Sequence, residues 1–203
     1  MIPVPESRRL KRIALYGYPG AGKSTAARIL KDQCQGRIWF ARIRIAQPLY
    51  EAQSDIYQRA GRQLRDFYQQ DGELLNLLGI QLRRLNPRIL EDRFASSVRE
   101  SLDRFRKTPM RDGLIVCDDV RYPDVHFIRG LGFDFVQMHT PKIARSMRRH
   151  RRGDVSLGSV SDPNEQFLDR LVPDKVLDNS GDLSALSSAI ASLLKELMDD
   201  PDG

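Results

Sequence analysis

Residues 17–24 read Gly17-Tyr18-Pro19-Gly20-Ala21-Gly22-Lys23-Ser24, an unbroken G-x-x-x-x-G-K-[ST] pattern. The apolar run Ile13-Ala14-Leu15-Tyr16 precedes it, and Thr25-Ala26-Ala27-Arg28-Ile29-Leu30, a good helix former, follows. A strand, a glycine-rich turn and a helix start form the context in which this pattern cradles phosphate. Glycines let backbone N–H groups approach phosphate oxygens, and the helix N-terminus adds favourable partial charge. The expected nucleotide-binding residues are therefore Gly17, Gly20, Ala21, Gly22, Lys23, Ser24 and Thr25. Lys23 would reach the β- and γ-phosphates, and the Ser24 hydroxyl would sit on Mg²⁺.

With 203 residues, the chain is long enough for one α/β domain with a real core. Hydrophobic content of 40% and charged content of 30% fit a globular chain, and no apolar run approaches the ~20 residues of a membrane span. The first residues, Met1 to Arg9, lack the apolar segment of a secretory signal. Cys34 and Cys117 form no metal or redox spacing, so both are read as reduced thiols and the protein as cytoplasmic. A net charge of +6 points to an anionic ligand, either a nucleotide or nucleic acid. The sequence leaves monomer and homodimer open.

No repeat or low-complexity linker divides residues 1–203, which read as a single domain. The first strand and the helix after the loop occupy about 12–33, and a second strand spans Ile38 to Ile45. Residues 51–106 then read almost wholly helical. Leu74, Leu78, Leu82 and Leu85 form one apolar stripe; Phe94, Val98, Leu102 and Phe105 form another. This block is an insertion over the sheet and a natural place for a second substrate. A third strand, Leu114–Cys117, ends in Asp118-Asp119. A short helix over Pro123–Arg129 and a fourth strand over Phe133–His139 come next. The basic segment 142–152 is helix-compatible, and Gly153–Pro163 reads as a loop, so that about 141–163 forms a lid. A last strand near Lys175–Leu177 leads to a closing helix with Leu183, Leu186, Ile190, Leu193 and Leu197 on one face. Strands alternating with helices predict an α/β fold with a mostly parallel sheet flanked by helices, and ligands at the carboxyl ends of its strands.

Asp118 ends an apolar strand about a hundred residues after the loop, where such proteins place the acid that holds Mg²⁺. Asp119 is a second metal-shell acid, a base or a helix cap. Arg121 either grips a substrate phosphate or pairs with Asp124. In the run Lys142, Arg145, Arg148, Arg149, Arg151, Arg152, helical spacing puts Arg145, Arg149 and Arg152 on one face. The run reads as a lid closing over a transferring phosphoryl group, with Arg145 and Arg149 as catalytic members. A solvated basic face or a nucleic-acid strip is the alternative. Arg83 and Arg84 either anchor a substrate phosphate or match a helix dipole. Tyr50, Tyr57, Phe67, Tyr68 and Phe94 supply aromatics to the insertion; one of them, Tyr50 first, is available to stack on a base, and most read as core.

The chain resembles the deoxynucleoside monophosphate kinases of tailed phages, within the wider group of P-loop nucleotide kinases. The residues that carry the resemblance are Gly17 to Thr25, Ala46-Gln47-Pro48-Leu49, and Leu78 to Pro87. They continue with Val116-Cys117-Asp118-Asp119-Val120-Arg121-Tyr122-Pro123 and Asp178-Asn179-Ser180-Gly181-Asp182-Leu183. That resemblance implies ATP, Mg²⁺, a three-layer P-loop NTPase fold and phosphoryl transfer to a nucleoside monophosphate. By matching position it implies Lys23 and Ser24 on triphosphate and metal, Arg84 and Arg121 near the acceptor, and lid arginines near the γ-phosphate. Ser161-Asp162-Pro163-Asn164-Glu165 lacks the histidine the family carries after its lid, and Asp124 stands where Asn is expected. These departures leave room for a modified nucleotide, a modified base in DNA, or a non-nucleotide metabolite as acceptor.

A monophosphate acceptor is already anionic at pH 7 and needs alignment and charge neutralisation more than a base. For a hydroxyl acceptor, Asp118 or Asp119 would be the candidate base. A nucleotide-dependent ATPase or switch is the rival outside the kinases. No Asn-Lys-x-Asp guanine-reading motif occurs in the chain.

Overall fold

The computed structural model describes residues 8–156 and 168–199; the side chains of Tyr122, Arg149, Arg152 and Asp169 lie outside that description. So do residues 157–163 of the expected lid and the Ser161–Glu165 stretch.

Five strands form one parallel sheet in the order β2-β3-β1-β4-β5: β1 Arg9–Tyr16, β2 Trp39–Ile43, β3 Asp112–Cys117, β4 Asp134–His139 and β5 Lys175–Asp178. Ile13 of β1 sits opposite Val116 of β3, and Leu15 opposite Val136 of β4. Alternate side chains of these strands enter two separate cores, as the pleat requires. Ile13, Leu15, Leu114, Val116, Val136 and Met138 pack beneath α1 (Lys23–Cys34) and the closing helix α7 (Leu183–Asp199). Ala14, Tyr16, Ile115, Cys117 and Phe135 face the other side. There they are covered by α2 (Gln47–Arg59), α4 (Ile89–Arg106) and the short α5 (Val125–Gly130), with α3 (Gly72–Leu85) packed on α2. The basic helix α6 spans Lys142–Arg152. The expected three layers are present.

Two expectations need correction. Residues 51–106 are not continuous helix: α2 ends at Arg59, Gly61 takes φ +66°, and the polar stretch 60–71 crosses to α3 as a loop. Within α3 the buried positions are Leu75 and Gly79, whereas Leu85 is 82% exposed. Gly79 faces α2, where a Cβ would make ordinary contact with Leu49 at 3.6 Å. Leu78 and Leu82 of the predicted stripe pack half-buried against the second core beside Leu75 and Gly79, and Leu85 lies past the end of the packing.

Phe94 anchors the second core; it is 1% exposed and its ring lies 5.6 Å from Phe133 and 6.4 Å from Phe127. Phe94→Ala should cost about 3–5 kcal/mol in urea unfolding. A loss under about 1 kcal/mol, the scale of an exposed substitution, would contradict this packing.

Candidate functional site

The phosphate loop joins the carboxyl end of β1 to α1, and its conformation is dictated by glycine. Gly17, Gly20 and Gly22 have φ of +142°, +82° and +94°. The space is as restrictive as the backbone. A Cβ on Gly17 would lie 2.8 Å from the Met138 carbonyl oxygen, and one on Gly22 would lie 2.3 Å from Asn179 Nδ2. The loop is also held from behind. Thr140 Oγ1 and Asn179 Nδ2 both donate to the Ala21 carbonyl, at 3.0 and 2.8 Å. Both side chains are buried, and the Asn179 N–H donates to the His139 carbonyl at 2.8 Å. Lys23 Nζ folds back over the loop, donating to the carbonyls of Gly17 and Tyr18 at 2.7 and 3.2 Å. The Thr25 side chain lines the same cleft.

Asp118 lies at the carboxyl end of β3, the strand beside β1. Ser24 Oγ donates to its Oδ2 at 2.9 Å. Arg42 grips the same carboxylate with two N–H groups, Nε reaching Oδ1 at 2.8 Å, and Arg44 Nε stands 3.4 Å from Oδ1. Burial opposes ionisation of Asp118, but the Arg42 bonds and the charges of Arg42 and Arg44 outweigh it and hold its carboxyl below the usual range. Asp119 is turned the other way. Its two oxygens accept the backbone N–H groups of Ile45 and Ala46, each at 3.0 Å, and so fix the turn between β2 and α2. Burial, with the charge of Asp118 beside it, pushes its pKa up to about 6.

These groups line a cleft of about 560 Å³. Lys23, Ser24, Asp118, Asp119, Arg121 and Tyr50 all lie on its wall. Tyr50 is buried, its hydroxyl accepts from Gln70 Nε2 at 2.8 Å, and its ring stands edge-on to Tyr68 at 5.2 Å. Arg121 Nη1 donates to Asn76 of α3 at 3.2 Å.

Arg83 and Arg84 are not brought to the cleft. Arg83 Nη2 donates to Asp124 Oδ1 at 2.8 Å, and Arg84 is exposed on α3. Asp124 is only 2% exposed, so it must be neutralised from nearby; Arg83 takes the ion-pair role that Arg121 was offered in the sequence.

In α6, Arg145 lies with its guanidinium 4.0 Å from the centre of the Tyr18 ring, on the phosphate loop itself. Arg148, expected only as part of a basic strip, reaches the loop as well. Its Nη2 donates to the Asn179 carbonyl at 3.3 Å. Its Nη1 is buried without a hydrogen-bond partner among the described residues, within 4 Å of where a Gly22 side chain would begin. The Arg149 side chain lies outside the described residues.

Sequence reasoning missed Arg42, Arg44 and the polar residues of the 65–70 segment; Arg65, Asp66, Gln69 and Gln70 line the cleft together with Tyr68, which the sequence offered only as one of the insertion's aromatics. Strand alternation could have found the two arginines: Ile43 and Ile45 are buried against α2 and α4, so Arg42 and Arg44 face the opposite way. The Arg44 guanidinium sits 3.5 Å from the centre of the Tyr68 ring.

The donor set suits Mg²⁺. A hydroxyl and an ionised carboxylate, with waters and substrate phosphates completing the shell, are the hard oxygen ligands this ion takes. Among the described residues no cluster of three or more His, Cys, Asp or Glu forms a separate metal site. No described helix is long and apolar enough to cross a membrane, and both cysteines are free and buried.

No family model matches this chain, and no curated protein matches it. Solved structures do. TT1252 from Thermus thermophilus is 20% identical over 95% of this chain and 99% of its own, with a TM-score of 0.51. The APS kinase CysC of Mycobacterium tuberculosis, solved with AMPPNP and APS, is 14% identical over 96% of this chain and 100% of its own, with a TM-score of 0.54. The chain has the P-loop kinase fold.

Gly22→Ala combines a disfavoured positive φ with the clash against Asn179. It should abolish binding of Mg²⁺·AMPPNP in calorimetry while the far-UV spectrum stays native. Wild-type affinity in that variant would contradict the loop geometry.

Proposed function

We propose that this chain transfers the γ-phosphoryl group of ATP to a (deoxy)nucleoside monophosphate, giving the diphosphate. The observation that carries the reading is the convergence of the phosphate loop, the Ser24–Asp118 pair and arginines from β2, α6 and the β3 exit on one cleft. Lys23 and the loop N–H groups hold the triphosphate. Ser24 and Asp118 would hold Mg²⁺, which when bound neutralises charge on the β- and γ-phosphates. Arg145 and Arg148 on α6 offset charge at the phosphates, and the Nη1 of Arg148, without a hydrogen-bond partner among the described residues, suits a phosphate oxygen.

Arg42, Arg44 and Arg121 supply a cationic wall for the acceptor phosphate, and Tyr50 and Tyr68 offer ring surface for a base. The state of the carboxylates favours an anionic acceptor over a hydroxyl. Asp118 is a weak base, because its arginines hold it ionised, and both oxygens of Asp119 are occupied by backbone donors. A phosphate nucleophile needs neither as a base. Two arginines of α6 face the phosphate loop, which counts against a helix built as a nucleic-acid strip. The free thiols suit a reducing compartment such as the cytoplasm.

Lys23→Ala should lower kcat/KM for phosphoryl transfer by at least about a hundredfold without unfolding the protein. Arg121→Ala should raise the acceptor KM roughly 10- to 100-fold, as loss of a charge-assisted hydrogen bond does, and leave the ATP KM nearly unchanged. Steady-state kinetics across nucleoside monophosphates checks both. Turnover retained in Lys23→Ala, or an ATP KM that rises with the acceptor KM in Arg121→Ala, would refute the assignment.

A further inference from the structure

Two segments far apart in sequence are joined at the mouth of the cleft. Residues 69–73 run from the cleft wall into the N-terminus of α3, and residues 153–156 leave the C-terminus of α6. Gly153, with φ +69°, turns the chain out of α6 in the left-handed conformation that often ends a helix, and a Cβ there would lie 3.0 Å from Arg65 Nη1. Asp71 and Ser156 then pair as an isolated parallel bridge. The Val155 N–H donates to the Gln70 carbonyl at 2.8 Å, and the Gly72 N–H donates to the Ser156 carbonyl at 3.1 Å.

Side chains close the join further. Ser156 Oγ donates to Asp71 Oδ1 at 2.6 Å and accepts the Glu73 N–H at 3.0 Å; Gln69 Nε2 donates to the Gly153 carbonyl at 2.8 Å. Asp71 is also the N-cap of α3, accepting the Leu74 N–H at 3.2 Å, and it accepts the Tyr57 hydroxyl of α2 at 2.7 Å. One carboxylate thus ties α2, α3 and the exit of α6 together. Each side of the join also carries cleft residues: Gln69 and Gln70 on one, Arg148 and Asp154 on the other.

We infer that this join couples the two halves of the cleft. A donor nucleotide held beneath α6 orders the 65–73 wall where the acceptor sits, with Asp71 and Ser156 as positioning residues that touch neither substrate. Only the lid's tie to the phosphate loop is needed to cover the donor; the bridge to α3 does nothing for that task and links the covering helix to the opposite wall. By reciprocity, an acceptor held against that wall tightens nucleotide binding by the same factor. The inference rests on the proposed donor site at the phosphate loop.

The test is amide hydrogen exchange on the full chain, with and without Mg²⁺·AMPPNP. In the wild type, nucleotide should slow exchange in 17–25 and, by at least about fivefold, at Gly72, Glu73 and Val155. Ser156→Ala removes two side-chain hydrogen bonds of the join but leaves the Asp71 cap on Leu74 intact, so α3 keeps its start. In that variant, and in Gln69→Ala at the other end of the join, protection of 17–25 should persist while protection of 72–73 and 155 falls away. Protection of 17–25 without any at 72–73 in the wild type would overturn the coupling and leave the donor site standing. So would undiminished protection of 72–73 in both variants. No protection at 17–25 would overturn the donor site and the coupling together.

Discussion

The site depends on how the charge of Asp118 is accommodated. Its side chain is almost wholly enclosed, and an enclosed carboxylate persists only with cationic and hydrogen-bonding partners close by. Those partners come from three directions: Ser24 at the start of α1, Arg42 in β2 and Arg44 just beyond β2. The same contacts therefore register the phosphate loop against the edge of the sheet and place two guanidinium groups in the floor of the cleft. Arg44 in turn lies against Tyr68, which positions the 65–70 wall. A single carboxylate thus organises the phosphate loop, the floor of the cleft and the 65–70 wall.

Behind the loop, the restraint is steric and polar rather than ionic. Gly22 and Asn179 are so close that no side chain fits between them, and Asn179 and Thr140 share the Ala21 carbonyl. The loop is preorganised by β4 and β5, so little backbone ordering remains when phosphate arrives. Lys23 meanwhile spends its donors on the loop's own carbonyls, bonds that a phosphate oxygen can replace.

Much of this was legible in the sequence because it is local. The glycines, Lys23 and Ser24 announce a phosphate loop by type and spacing, and the apolar strands of a two-sided parallel sheet announce themselves by composition. What stayed hidden is set by tertiary pairing. Arg83 reads as well as any arginine for a phosphate anchor until the burial of Asp124, 41 residues later, claims it. Arg42 and Arg44 were screened by the isoleucines between and after them. The 60–71 stretch has no periodicity to read, and its importance comes from Asp71 meeting Ser156 across a separation of 85 residues. Arg148 differs from its basic neighbours only in the direction it faces, which depends on the docking of α6 against the Asn179 turn.

The most direct measurement is the fate of the γ-phosphate, followed by ³¹P NMR in a mixture of ATP, Mg²⁺, the protein and a set of ribo- and deoxynucleoside monophosphates that includes 5-modified pyrimidines. Loss of ATP should give ADP and an equal amount of a second nucleoside diphosphate formed from one or a few of the acceptors, with no inorganic phosphate. Inorganic phosphate released at a rate indifferent to every acceptor would contradict this and identify an ATP hydrolase instead.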